Sequence, residues 1–325
     1  MKGLLEVCLY KTLHAAFWSF EAAHSADLAE ASAAWERAIA CARAGREAPG
    51  LGPEFCLFTD RDFMLGHTLG AYAARLIEHG EYARAALFLM DSAQIYQARG
   101  SRWEMADCLG KAGRLALLQG DLTQARALLH EALTLARTFN YQWEVGDLQP
   151  YLGIVTLYEG DAPEARRLLE DSLRLCLDLN DRAYLARVSA YLAETALSEG
   201  NLNEAEQWLA RRLTYDADAR RNDITQVEFL LVAARLATAQ GACLRAAALF
   251  GLAAEMCSRI NYELAGPARL LADAALATVR AALDPARFAE AFAAGQQLSL
   301  EEAFATILAS SSVTGAPPLL SQLSA

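Results

Sequence analysis

Apolar residues recur at helical spacing along nearly the whole chain. Between positions 122 and 133, for example, Leu122, Ala125, Leu128, Leu129, Ala132 and Leu133 fall on one helix face. These stripes are broken at regular intervals by glycine. Gly80, Gly120, Gly160, Gly200 and Gly241 are separated by 40, 40, 40 and 41 residues. Five residues after each glycine stands Ala85, Ala125, Ala165, Ala205 or Ala246. Nine after stands a larger group, Leu89, Leu129, Leu169, Leu209 or Phe250, and seven before stands a small one, Ala73, Gly113, Gly153, Ala193 or Ala234. Apolar runs of period two are absent, so no sheet is expected.

Each feature has a physical reason. Glycine accepts the left-handed backbone that ends a first helix. Asp121, Asp161 and Asn201 follow it and can cap a second helix. Small residues let the paired helices approach, and the larger one fills the groove between them. A repeat of this length, one helix pair per period, predicts an array. The expected fold is all-α, a right-handed α-solenoid of antiparallel helix pairs.

The expected organisation is a first helical repeat over 1–43, an inserted loop over 44–65, tandem 40-residue repeats over 66–262, capping helices over 263–309 and a disordered tail over 310–325. In the first repeat Ala26-Asp27-Leu28 replaces the glycine turn, with Ala31 and Trp35 at the expected offsets. The Gly- and Pro-rich insertion reads either as a tolerated excursion or as a functional loop. Pro150 should kink a first helix or mark its real start. Near the C-terminus a helix is expected from about 265 to 282. Another starts at Asp284-Pro285, and a third has Ser299 and Glu302 as a capping box. Gly66 and Gly70, four apart, suggest close helix packing.

Composition agrees with a helical array. The chain has 325 residues, 54% of them hydrophobic, with Ala, Leu, Glu and Arg prominent. A formal net charge of −11 and a pI near 5.0 argue against direct binding to nucleic acid or to anionic membranes. Cys8, Cys41, Cys56, Cys108, Cys176, Cys243 and Cys257 are scattered without a C-x-x-C pair, which points to a reducing cytoplasm. The most apolar stretch, 233–257, is interrupted by Arg235 and Arg245, so no membrane span is expected. Lys2 and Lys11 flank a short apolar run without a clear cleavage site, so no signal peptide is expected.

The phrase from Gly113 to Leu133, with Ala116, Gly120-Asp121-Leu122, Ala125, Leu129 and Ala132-Leu133, resembles the tetratricopeptide repeat in the longer, 40-residue form of MalT-like regions. Farther on come AAALFGLAAE at 246–255, ARFAEAFAAG at 286–295 and LSLEEA at 298–303. They resemble the C-terminal end of large bacterial regulators of the LuxR and signal-transduction ATPase type. In such regulators a nucleotide-binding switch precedes a repeat array that acts as sensor, and many carry a DNA-binding domain. The resemblance covers the sensor part. No G-x-x-x-x-G-K-[ST] loop occurs, so an ATPase role is not implied.

Catalytic chemistry is sparse. His14, His24, His67, His79 and His130 form no metal-ligand spacing, and no G-x-S-x-G elbow occurs. No cofactor and no catalytic residue is expected. What remains is a surface. The resemblance implies that first helices line a concave face, and offset from the turn glycines selects His67, Asp107, Lys111, Arg114, Asp147, Tyr151, Tyr158, Arg187, Tyr191, Glu194, Glu228 and Arg235. Tyr and Arg are effective anchors for a bound segment. The expected function is a non-catalytic interaction or sensing module that binds a protein or peptide partner. By resemblance it would work with an ATPase or DNA-binding output domain. The alternative is a scaffold that assembles through its convex face.

Overall fold

A computed structural model describes residues 28–47, 61–216 and 223–310. The described residues form fourteen α-helices and no strand. They are α1 (Leu28–Glu47), α2 (Arg61–Glu78), α3 (Tyr82–Arg99), α4 (Arg102–Gln119), α5 (Leu122–Thr138), α6 (Gln142–Tyr158) and α7 (Ala162–Leu179). The series continues with α8 (Arg182–Ser198), α9 (Leu202–Asp216), α10 (Asp223–Ala239), α11 (Cys243–Arg259), α12 (Gly266–Ala282), α13 (Pro285–Gln296) and α14 (Leu300–Ser310). Consecutive helices pack on one another, as in an α-solenoid. Helix occupies 44–47 and 61–65 of the stretch expected to be a loop, whereas 48–60 lie outside the described residues. The expected turn at 26–28 falls mostly outside them as well, and so does all of the expected tail beyond Ser310. No helix among the described residues is long and apolar enough to cross a membrane.

The chain divides into two compact units. The first comprises residues up to 112 apart from 78–80, and the second comprises 78–80 and 113 onward. In the first, Trp35 of α1 stacks on Tyr72 of α2 at 5.9 Å, and Tyr72 meets Phe88 of α3 at 5.0 Å. Ser92 donates a 2.7 Å hydrogen bond to the carbonyl of Gly66. A Cβ at Gly66 would lie 2.9 Å from the Tyr96 ring, so this glycine is there to let α2 and α3 approach.

The second unit carries the repeat in its clearest form. Gly120, Gly160, Gly200 and Gly241 all have φ between 74° and 96°. Asp121 accepts from the backbone N–H of Gln124, Asp161 from that of Glu164 and Asn201 from that of Glu204. Ala125, Ala165, Ala205 and Ala246 are fully buried. The size alternation has a direct cause. A Cβ at Gly113 would stand 2.8 Å from Leu129, and one at Gly153 would stand 2.8 Å from Leu169. Thus the small residue of one helix receives the large residue of the next. Asp161→Ala should lower stability by about 1 kcal/mol through loss of the cap, readable as a shift of the urea midpoint.

Two further regularities appear only in the structure. Second helices end on their own left-handed residues, Gly100, Asn140, Asn180 and Asn261. In addition, Arg126 pairs with Glu159 and Arg166 with Glu199, each 33 residues on. Pro150 neither starts α6 nor ends it, since the helix runs through it. The carbonyl of Gly146, four residues earlier, cannot receive a helical bond from proline. The thiol of Cys176 lies 3.9 Å from it and donates instead.

Past α11 the pattern changes. α12 packs against α10 as well as α11, and α13 returns to pack closely against α11. Asp284 caps α13 at the N–H of Arg287, and Ser299 and Glu302 form the reciprocal box at α14.

Candidate binding groove of the second unit

The first helices of the repeats, from the end of α4 through α6, α8 and α10, present equivalent positions side by side. Thirteen residues before the turn glycines stand Asp147, Arg187 and Glu228. Nine before stand Tyr151, Tyr191 and Val232; six before stand Arg114, Ile154, Glu194 and Arg235. Ion pairs form along these rungs. Arg187 Nη1 donates to Asp147 Oδ1 at 2.5 Å, 40 residues away, and Arg235 Nη1 to Glu194 Oε1 at 2.5 Å, 41 residues away. The repeat period therefore sets which charges can meet.

Eight of the sequence-selected residues line one cavity of about 160 Å³: Arg114, Tyr151, Tyr158, Arg187, Tyr191, Glu194, Glu228 and Arg235. Asp147 stands behind as the anchor of Arg187. The other three expected groove residues belong to the first unit. There Lys111 pairs with Asp107, and His67 stacks beside Phe63, with desolvation of the ring and then Lys111 lowering its pKa. The offset rule selected them for the same reason as the rest, and they take no part in this cavity.

The opposite wall was not read from the sequence. It comes from the chain between α11 and α12, with Tyr262, Leu264 and Ala265, and from the first turn of α12, with Pro267 and Ala268, together with Arg212 of α9. Arg212 is buried, lies 4.1 Å from the ring centroid of Phe229 and donates to the carbonyl of Thr225 and to Gln226. The wall is held in place by a backbone contact. Gly120 and Gly266 both have positive φ, and a Cβ at Gly120 would stand 2.7 Å from the Cα of Gly266. Only a pair of glycines allows that approach.

The floor is aromatic. Tyr151 and Tyr191 meet edge to face at 6.2 Å. Arg187 lies 4.7 Å from the Tyr151 centroid and Arg114 lies 5.8 Å from it, both within cation–π range. Burial raises the pKa of Tyr151, Tyr158 and Tyr191, so all three phenols stay neutral donors at physiological pH. Charges of both signs act on the rings: Arg114 and Arg187 pull Tyr151 back down against Asp147 and Glu228, whereas Glu194 and Glu228 push Tyr158 further up against Arg235.

Two charges stand out. Among the described residues neither Arg114 nor Glu228 belongs to an ion pair. Glu194 is 2% exposed, and its Oε2 is buried without a hydrogen-bond partner. For Glu228, burial raises the pKa, with Arg114, Arg187 and Arg212 opposing the shift. The native state then holds that proton more tightly than the unfolded chain, so stability falls as pH rises from the ordinary carboxylate range through the raised value. Glu228→Gln should therefore unfold at a higher temperature than the parent at pH 7, and the gap should close toward pH 4 in a thermal melt series.

No group of three His, Cys, Asp or Glu among the described residues is placed to hold a metal. The thiols of Cys108, Cys176 and Cys257 are pushed up to about 11 by burial and are poor nucleophiles. Compared with known proteins, the chain matches no protein-family model and no curated protein.

Proposed function

We propose that the chain is a non-catalytic recognition module that holds a ligand or partner segment in the groove of its second unit. The observation that supports this reading is the convergence of eight side chains from four successive first helices on one cavity, with Arg114 and Glu228 outside any ion pair among the described residues and one oxygen of Glu194 buried without a hydrogen-bond partner. Structural ion pairs satisfy themselves, as Arg187–Asp147 does. Charges kept out of ion pairs, and a buried acceptor without a donor, beside an aromatic floor are suited to a guest. On the tetratricopeptide-like resemblance, the setting is the sensing arm of a bacterial regulator in the cytoplasm. Occupancy there would be passed to an ATPase or DNA-binding output domain.

The test uses native mass spectrometry. The full chain is exposed to a small-molecule extract and to a peptide digest, and retained compounds are compared with those kept by an Arg114→Gln/Tyr191→Leu double variant. Both substitutions face the cavity, and folding is checked by circular dichroism. Loss of the retained compound in the folded variant is expected. Unchanged retention would transfer recognition to another face and favour the scaffold reading.

A further inference from the structure

Resting on that reading of the groove, we infer that its guest is a small zwitterion with an apolar body, the size of a free aromatic or branched-chain amino acid. Three observations carry the inference. The first is size. A cavity of about 150 Å³ accommodates one aromatic ring, and this one measures about 160 Å³. It suits a single ring or branched chain better than a length of peptide.

The second is the arrangement of poles. Arg114 reaches from α4 over the Tyr151 ring, 5.8 Å from its centroid, without a carboxylate within ion-pair distance. Glu228 lies on α10, three first helices farther along, without a cationic partner within ion-pair distance. Tyr151 and Tyr191 lie between them as an apolar floor. The third is the orphaned Oε2 of Glu194, buried in the cavity wall while its other oxygen is held by Arg235. A buried acceptor without a donor is costly.

An anionic guest would satisfy Arg114 and leave that oxygen orphaned beside a second carboxylate. A cationic guest would do the reverse. A neutral guest would satisfy neither. An ammonium at Glu194 and Glu228, with a carboxylate at Arg114 on the same small molecule, satisfies all three with charge-assisted hydrogen bonds. The ring or alkyl body then rests on Tyr151 and Tyr191.

Isothermal titration of the full chain with L-phenylalanine, phenethylamine and 3-phenylpropionate tests this, because the three share a body and differ in one charged group each. L-phenylalanine should bind, and each single-charge analogue should bind at least roughly tenfold more weakly, as expected for loss of one charge-assisted contact. Arg114→Gln should weaken L-phenylalanine while leaving phenethylamine unchanged. Glu228→Gln should weaken it while leaving 3-phenylpropionate unchanged. The comparison on the parent protein needs no variant to fold. Equal binding of the acid would overturn the inference in favour of an anion site, and equal binding of the amine in favour of a cation site. If none of the three produces heat, the zwitterion falls. The groove reading then stands or falls separately, on whether the Arg114→Gln/Tyr191→Leu variant loses its retained compound.

Discussion

Arg235→Met is expected to lower stability by about 3–5 kcal/mol, the range found when one member of a buried ion pair is removed. The Glu194 and Arg235 side chains are 3% and 13% exposed and meet at 2.5 Å. Taking away the guanidinium leaves Glu194 in the wall of the second unit with neither of its oxygens satisfied. The loss comes from that stranded charge rather than from the missing attraction. A Glu194→Leu/Arg235→Met double variant should therefore recover most of the stability, because it removes both charges and keeps the volume. Urea unfolding followed by circular dichroism reads both values. If the double variant is as unstable as the single one, the pair acts through packing, and the stranded-charge account is wrong. The double variant should also lose one of the two carboxylates of the groove, Glu194, so regained stability would come without regained ligand affinity.

Gly295→Ala is the second substitution with a large expected effect, about 3 kcal/mol, at the upper end for overpacking. α11 and α13 approach until backbone touches backbone. A Cβ at Gly295 would fall 2.6 Å from the Cα and the carbonyl carbon of Ala248 and would overlap its oxygen. On the facing helix, a Cβ at Gly251 would overlap the carbonyl of Phe292. No side-chain rotation can relieve either clash, so α13 has to separate from α11. Gly146→Ala is the comparison. Its Cβ would meet the end of Leu179 at 3.2 Å and Tyr184 at 3.5 Å, contacts that side chains can adjust. The expected loss there is below about 1 kcal/mol. Limited proteolysis should find the chain beyond 284 exposed in Gly295→Ala and protected in Gly146→Ala.

These two sites differ in how readable they were. Gly251 and Gly295 sit inside the two phrases that resemble regulator C-termini, and the structure supplies a packing reason for the pattern. Nothing in the sequence said that the two phrases face each other. The Glu194–Arg235 pair was closer to hand. Both residues stand six before a turn glycine in successive repeats, so their meeting follows from the period once adjacent first helices are known to lie in register. The same argument pairs Arg187 with Asp147. It also selected His67, Asp107 and Lys111, which occupy the corresponding offsets in the first unit. A rule based on offset carries no information about which repeats share a cavity.

The second series of turns shows a different limit. Gly100, Asn140 and Asn180 stand 40 residues apart and Asn261 two periods farther on, 81 residues later, but asparagine is common on helix surfaces and does not by itself mark a turn. Its tolerance of the left-handed region is what the position uses.

Local rules governed what could be read along the chain alone. Left-handed turns at glycine, caps at Asp121 and Asp161, and the fit of Leu129 to Gly113 and of Leu169 to Gly153 depend on residues within one helix pair. The helices and their pairing were legible for that reason. The groove needed more. Its far wall comes from 262–268, held against Gly120 by Gly266, and its unsatisfied charges are known only once every neighbour is in place. Those are contacts between residues more than a hundred positions apart. The period of a repeat specifies the next helix, and the tertiary fold alone decides what closes over it.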